Sequence, residues 1–371
     1  MPLVGIGPTP KVYKTLARPS CYRGVYARDY ILRRARNQAI IPAMDIDLVY
    51  LWCDAAEPDY RRRLEAELAK AKNLDINARS MARWLGNDEL RYSLRSVEKF
   101  MPWVRKIFIV TDGQTPKWLD TKNPRVKIVG HNEIIPKKYL PLFNSAAIEL
   151  FIAEIPGLAE HFIYANDDMF AAAPLAPEFF FDAKGNPIVD VRKLRPRHDI
   201  YSDVGFARAL ASQKKIFERW LMRMNRLVFD IFGRKFSLRP THQMEAMRKS
   251  YLRENLARPD MAEVVEHSKR ARFRDEFTIQ RIIFPLIDNA LGRNTLRPDE
   301  RPTWLRRLLA PIWPRRSRTL VVSARLRPEK VLERKAKLFC INDDEYTTEK
   351  QRKQNRLFLE TLFPTKSRFE K

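Results

Sequence analysis

A chain of 371 residues that is 45% hydrophobic can fold as one large or two modest units, which excludes an extended polyelectrolyte. Its net charge of +25, from 70 Lys and Arg against 45 Asp and Glu, favours polyanionic partners: nucleic acid, anionic lipid head groups or phosphorylated substrates. No stretch approaches the roughly 18 uncharged apolar residues of a membrane span, and with 11 glycines there is no Gly-rich phosphate loop, which weighs against P-loop ATPases and dinucleotide-binding enzymes.

Cys21, Cys53 and Cys340 lie too far apart for a zinc spacing or an obvious disulfide framework. The first residues lack a basic region followed by a long apolar one. A cytoplasmic, reducing location is expected, with peripheral contact to an anionic membrane surface.

Residues 1–43 read as a basic appendage, with a helix-compatible stretch from Arg28 to Ala39 ended by Pro42. Ile46 to Trp52 reads as a first core strand stopping at Cys53-Asp54, and residues 58–72 as a charged helix. Leu90 to Phe100 carries Leu90, Leu94 and Val97 at helical spacing. Lys106 to Thr111 is a second buried strand, ending at Asp112-Gly113, and Arg125 to Val129 a third. Ser145 to Ile155 reads as one helix, and Phe162 to Ala165 as a fourth strand. Alternating strands and helices predict an α/β fold with a parallel or mostly parallel sheet.

The character changes near residue 185. Residues 208–232 form a basic amphipathic pattern, with Ile216, Trp220, Met224, Leu227 and Ile231 on one face. It suits a membrane-surface helix, or one packed on the core with its basic side outward. Trp304 to Arg318 is similar, but Pro311 and Pro314 oppose one continuous helix.

Three strands end in acids: Asp54, Asp112 and Asn166-Asp167-Asp168. Open α/β sheets bind ligands beyond the carboxyl ends of their strands. Adjacent carboxylates at the end of a buried strand are costly unless a cation meets them. Oxygen ligands of this kind suit Mg²⁺ or Mn²⁺ on a phosphate; the ordinary alternative is a helix N-cap or turn. Asn87-Asp88-Glu89 reads equally as a helix start or as polar groups facing a nucleotide. His242, in Pro240-Thr-His, can take a proton near neutral pH. His267 to Arg274 is dense in cations, and Arg clamps phosphate through its planar fork. Cys340-Ile-Asn-Asp343 is a second acidic turn.

Taken together and in order, these segments resemble the Stealth family of sugar-1-phosphate transferases. The family includes bacterial capsule and exopolysaccharide phosphotransferases and the catalytic part of the animal lysosomal-enzyme GlcNAc-1-phosphotransferase. The matching blocks are Ile46 to Asp54, then a long one from Asn87 through Pro102 to Gln114 and on to Asp168. Pro240-Thr-His242 with Phe273-Arg274, and Cys340 to Asp343, complete them. The chain departs from the pattern at Ala55-Ala56-Glu57-Pro58, where Gly-Ser-Asp-Pro is usual. It departs again at Leu85-Gly86, where Arg-Asp is usual, and around Gln243-Met244.

The resemblance implies a glycosyltransferase-A-like, Rossmann-like core at 44–184. A mainly helical lid or acceptor-side subdomain at 185–335 would carry His242 and Arg274. A C-terminal segment, 336–371, would return Asn342 and Asp343 to the site. The implied reaction moves a sugar-1-phosphate from a UDP-sugar to a hydroxyl of a polysaccharide or lipid-linked glycan, forming a phosphodiester and releasing UMP. By position, Asp167, Asp168 and Asp343 hold Mg²⁺ or Mn²⁺, and Arg274 neutralises the transferred phosphoryl group. His242 is the general base, with Asp168 the alternative. Asp54, Asn87, Glu89, Arg91, Asn166 and Asn342 line the donor pocket. Two other classes compete: a metal-dependent glycosyltransferase releasing UDP, and a non-enzymatic binder of polyanions or membrane. The acids at the strand ends disfavour nucleic acid as a partner.

Overall fold

The computed structural model describes residues 44–71, 86–193, 238–240, 242–273, 279–298, 318–323, 326–343 and 347–371. The basic pattern at 208–232, the segment 304–317, the appendage 1–43 and Arg274 lie outside them.

The apolar runs become β1 (Ile46–Leu51), β2 (Ile107–Thr111), β3 (Val126–Gly130) and β4 (His161–Asn166). They form a five-stranded sheet in the order β3-β2-β1-β4-β8, its last strand being β8 (Glu245–Arg248). The first four are mutually parallel, and β8 runs antiparallel along β4. β1 is buried at all six positions and β2 at all five. Strands covered on both faces need continuous apolar runs, as these have.

The two faces carry different layers. Ile46, Leu48, Tyr50, Ile107 and Ile109 pack on Leu90, Leu94 and Val97 of α2 (Glu89–Phe100). α1 (Pro58–Lys70) precedes it and buries Tyr60 and Leu64 beside Phe143. The other face, with Val49, Leu51, Phe108, Phe162 and Tyr164, packs on residues 147–158. Also on that face are Leu252 of α3 (Lys249–Leu256), Val264 and Val265 of α4 (Ala262–Arg270), and Phe284 and Ile287 of α5 (Phe284–Ala290). Residues 145–154 are a turn of α-helix, Ser145–Ile148, followed by a tighter 3₁₀ stretch, Glu149–Glu154, in place of the single helix expected. Pro156 disfavours helical backbone at Ile155 and ends the segment there.

Two small sheets flank the main one. β5 (Met169–Ala171) leaves β4 through a tight turn and pairs antiparallel with β11 (Leu338–Ile341), which lies parallel to β10 (Thr319–Val322). Phe170 stacks on Phe339 at 4.7 Å, and α6 (Glu349–Leu362) covers both with Phe358 and Leu359. β6 (Ile188–Lys193) pairs with β7 (Leu238–Pro240) and β9 (Thr295–Pro298). Residues 185–335 therefore hold five strands beside their helices among the described residues, and β8 completes the central sheet from within that segment.

Candidate active site

The acids gather because of strand order. β1 lies between β2 and β4, all three run the same way, and Leu51 is in register with both Val110 and Asn166. The strands deliver Asp54, Asp112 and Asp167-Asp168 to one edge of the sheet. Cys53 stands among them. Its thiol pKa is pushed up to about 12, mainly by burial, with Asp167, Asp54 and Asp112 adding to the rise.

A buried acid on the opposite edge shows what a structural carboxylate looks like. Asp47, fully buried in β1, takes two bonds from Arg105, at 2.9 and 2.7 Å. It also accepts from the backbone N–H groups of Lys106 and Ala159. At the carboxyl edge Asp112 is paired with Arg63, but Asp168 is not satisfied in this way. Oδ1 of Asp168 is buried and has no hydrogen-bond partner. Burial raises the pKa of Asp167 well above the carboxylate range, and Asp168 and Glu89 push it further. Burial also raises Glu89 to about 7, against the N–H of Asn87 that it accepts, and Asp343 and Asp168 add to the rise. Glu89 thus feels the charge of Asp168 and Asp343, and Asp167 that of Asp168 and Glu89, although these acids come from α2, the β4–β5 turn and the end of β11.

Local backbone places each of them. At the N-cap of α2, Asp88 adopts the left-handed conformation, with φ 63°, and its side chain does not cap the helix. Asp tolerates that region better than most residues. The turn leaves Glu89 facing inward at the first helical position. Asn87 donates through Nδ2 to the carbonyl of Arg352 at 3.0 Å, and Arg352 pairs with Asp343 at 3.2 Å. On the other side, the N–H of Ile341 donates to the carbonyl of Asp168, and the Cys340 thiol donates to Asp168 Oδ2 at 3.0 Å.

His242 precedes β8, its side chain about one-third exposed, with Nε2 3.9 Å from Asp168 Oδ2. Behind it Arg281 pairs with Glu245 at 2.6 Å and sits over the ring of Tyr164. Burial works against the Arg281 charge, but Glu245 and Glu149 override it and raise the guanidinium pKa. Arg281 approaches His242 Nδ1 only at 3.5 Å, too long to fix the ring's tautomer. The Tyr164 hydroxyl donates to Glu149 at 2.7 Å and lies 2.6 Å from Asn166 Oδ1. Gln280 closes this network through a hydrogen bond to Glu149.

Of the residues singled out by sequence, the structure brings Glu89, Asp167, Asp168, Asp343 and His242 together, with Asn166 beside them. Asp54 sits at the same edge in a turn, its Oδ1 accepting from Ala56 N–H and its backbone clasped by Gln114. Asn342 is exposed, its N–H bound to the carbonyl of Val322. Arg91 turns the other way. It lies 3.6 Å from both Asp88 and Glu370 and over the ring of Trp118, so it braces α2. Sequence reasoning missed Cys340 as a partner of Asp168, and it missed Glu149, Glu245, Gln280 and Arg281. The last four are buried polar residues without a motif, and only the sheet order reveals their partners.

Asp168, His242 and Cys340 present ligand atoms within 4.8 Å of one another, so these residues can hold a metal ion. The donor chemistry favours a hard ion. The thiol is a hydrogen-bond donor to Asp168, and burial, then Asp168, raises its pKa, whereas a metal-bound sulfur is a thiolate. Crowded carboxylates with an unpartnered oxygen fit Mg²⁺ or Mn²⁺.

Comparison with known proteins finds relatives of this sequence. Residues 83–189 match Stealth protein CR2, conserved region 2, and residues 329–371 match Stealth protein CR4, conserved region 4. A capsular polysaccharide phosphotransferase, LcbA, of Aeromonas hydrophila is 43% identical over 162 residues, 42% of this chain and 45% of that one. An exopolysaccharide phosphotransferase of Streptomyces coelicolor is 33% identical over 333 residues, 88% of this chain and 52% of that one. The chain thus spans about half the length of these curated relatives. Among solved structures, the galactosyltransferase LgtC with donor and acceptor sugar analogues is 11% identical. It has a TM-score of 0.41 over 86% of this chain and 96% of that one.

Proposed function

Since this chain belongs to the Stealth family, we propose that it transfers a sugar-1-phosphate from a UDP-sugar to a hydroxyl of a polysaccharide or lipid-linked glycan. The transfer serves capsule or exopolysaccharide synthesis, forms a phosphodiester and releases UMP. The observation that carries the reading is the juxtaposition of His242 with Asp168 inside a cluster in which Glu89, Asp167 and Asp168 oppose one another's charge, with Asp343 acting on Glu89. Such a cluster gains from a cation and the diphosphate that comes with it, whereas a binder of bare polyanions would be repelled by it.

Attack at phosphorus asks the protein mainly for positioning and charge neutralisation. Asp167, Asp168 and Asp343 would hold the divalent ion, with Glu89 adding negative charge beside it. When bound, that ion supplies charge neutralisation on the diphosphate. His242 takes the proton of the acceptor hydroxyl, and the nearby Asp168 carboxylate offsets the charge the ring gains. Arg274 is assigned to the transferred phosphoryl group from the family pattern alone. Asp54, Asn87 and Asn166 stand on the donor side of the sheet edge, and Asn342 follows β11 into the same region. The basic excess suits a phosphate-bearing polymer or an anionic membrane surface as the setting of the acceptor. Among the described residues no helix is long and apolar enough to cross a membrane.

Product analysis tests the reading. The purified chain is incubated with a panel of UDP-sugars, Mg²⁺ or Mn²⁺ and a capsule-type oligosaccharide. UMP with a phosphodiester signal in ³¹P NMR is the expected result. UDP with no phosphorus in the product would replace it by glycosyl transfer.

A further inference from the structure

Behind His242, on the far side of the Arg281–Glu245 pair, lies a cavity of about 50 Å³. It is walled by β6, β8, α3 and α5. Gln243, next to His242 in the chain, and Glu245, the partner of Arg281, both line it. The cavity therefore lies next to the His242 side of the site.

Its hydrogen-bonding balance is one-sided. Asn255 and Gln280, 1% and 3% exposed, both line the cavity. The amide nitrogen of Asn255 is committed to Asp288 at 3.0 Å, and that of Gln280 to Glu149. These carboxylate partners fix the amides with their oxygens free, and neither Asn255 Oδ1 nor Gln280 Oε1 has a partner. Donors of the wall are turned to other partners: Arg248 to Glu160 and the Tyr251 hydroxyl, and Asn294 to the carbonyl of Pro285. A buried acceptor left unpaired is costly, so the two together suit a ligand that brings hydroxyl or N–H donors. The wall also includes the ring of Phe284, a flat apolar surface of the kind that packs on the C–H face of a sugar. The volume is that of about four ordered waters, enough for one edge of a sugar ring and too small for a polymer segment.

We propose that this cavity is an acceptor subsite that takes the hydroxyl-bearing edge of a neutral sugar residue, with Asn255 Oδ1 and Gln280 Oε1 as its hydrogen-bond acceptors. The assignment of the sugar as the acceptor rests on the transfer reading above; the binding of a neutral sugar does not.

The test is equilibrium binding, read without turnover. Saturation-transfer NMR is recorded on the full chain with glucose, galactose, N-acetylglucosamine and N-acetylmannosamine, each alone and with UDP. At least one of the four should show transfer that UDP does not displace. Asn255→Leu removes one free acceptor, and Ile188→Phe narrows the cavity from a partly exposed wall position without touching a hydrogen bond. Each should weaken the sugar about tenfold, as expected for one lost hydrogen bond or a filled pocket, and leave UDP binding unchanged. Should Asn255→Leu fail to fold, Ile188→Phe carries the test. No transfer from any of the four sugars overturns the proposal, as does undiminished transfer in the folded variants. Sugar binding here without UMP release in the product assay sinks the transfer reading alone; UMP release with no sugar signal sinks the subsite alone.

Discussion

The thiol of Cys340 donates to Oδ2 of Asp168 across 3.0 Å, tying the end of β11 to the turn after β4 although the two residues are 172 positions apart. The bond orients a carboxylate whose other oxygen has no partner. Replacing Cys340 by Ala should free that carboxylate to rotate. We expect about a tenfold fall in kcat, the scale of one hydrogen bond to a charged group, with Cys340→Ser recovering part of it. Steady-state rates of UMP release check this; equal rates for both variants and the wild type would show that the thiol has no positioning role.

Asp167 is held where its charge is opposed by burial and by two other carboxylates. Asp167→Asn should therefore stabilise the cation-free fold while lowering transfer at least about a hundredfold. The expected rise in unfolding temperature is about 2 °C or more. Mg²⁺ or Mn²⁺ at 100 times its Kd should stabilise the wild type by about 2.7 kcal/mol, and the variant much less. Scanning calorimetry in chelator and in each cation gives both numbers, and an equal response of the two proteins would remove Asp167 from the ion's site.

Glu89 makes stability pH-dependent in a stated direction. Its folded pKa of about 7 lies above its ordinary 4.5, chiefly through burial. Below the lower value both folded and unfolded chains carry the proton. Between the two, the unfolded chain releases it while the fold retains it, so stability falls as pH rises, by about 3 kcal/mol once pH passes 7. Denaturant midpoints for the wild type should drop from pH 5 to pH 8, and Glu89→Gln should flatten that drop. A midpoint for Glu89→Gln that falls as steeply as the wild type's would refute it.

Much of the site was legible because the chain advertises it locally. Short apolar runs ending in acids predict parallel strands with their carboxylates at one edge, and the sheet order β2-β1-β4 delivers Asp54, Asp112 and Asp167-Asp168 to that edge. Asn87-Asp88-Glu89 was legible as a helix start. Its left-handed turn, which turns Glu89 inward, was not, because the Arg356 that meets the Asp88 carboxylate comes from α6, 268 positions away in the chain. The reading of Arg91 as a donor ligand follows from the family pattern, and that of residues 185–335 as mainly helical from the same pattern and the helical spacing at 208–232. The buried Glu370 that engages Arg91, and the edge of β4 that recruits β8, are separated from them by long stretches of sequence and leave no local pattern.

That same Glu370 is buried and takes Arg95 in two bonds of 2.7 Å, with the N–H of Ser367 as a further donor. Burial opposes its charge, but these donors win and hold its pKa below the usual carboxylate range. Glu370→Ala would leave Arg95 without its acid beneath α2. We expect a loss of roughly 3 kcal/mol, the cost of breaking a buried pair from one side. Because α2 carries Glu89, KM for the donor should rise as well. A variant with unchanged unfolding would show that the tail is not a brace.

The last expectation concerns His242. Its Nε2 faces Asp168 at 3.9 Å, and Arg281 is committed to Glu245. If the ring takes the acceptor's proton, His242→Ala should lower kcat by about 10²–10⁴. Binding of the UDP-sugar, measured by calorimetry, should stay within about twofold, since the ring lies toward β8 and the acids proposed to hold the ion remain. His242→Gln, which keeps a polar side chain but cannot take a proton at neutral pH, should be as inactive as the Ala variant. Activity retained in His242→Gln would make the residue a positioning group and move the base to Asp168. In that case Asp168→Asn should abolish transfer even where cation-dependent stabilisation survives.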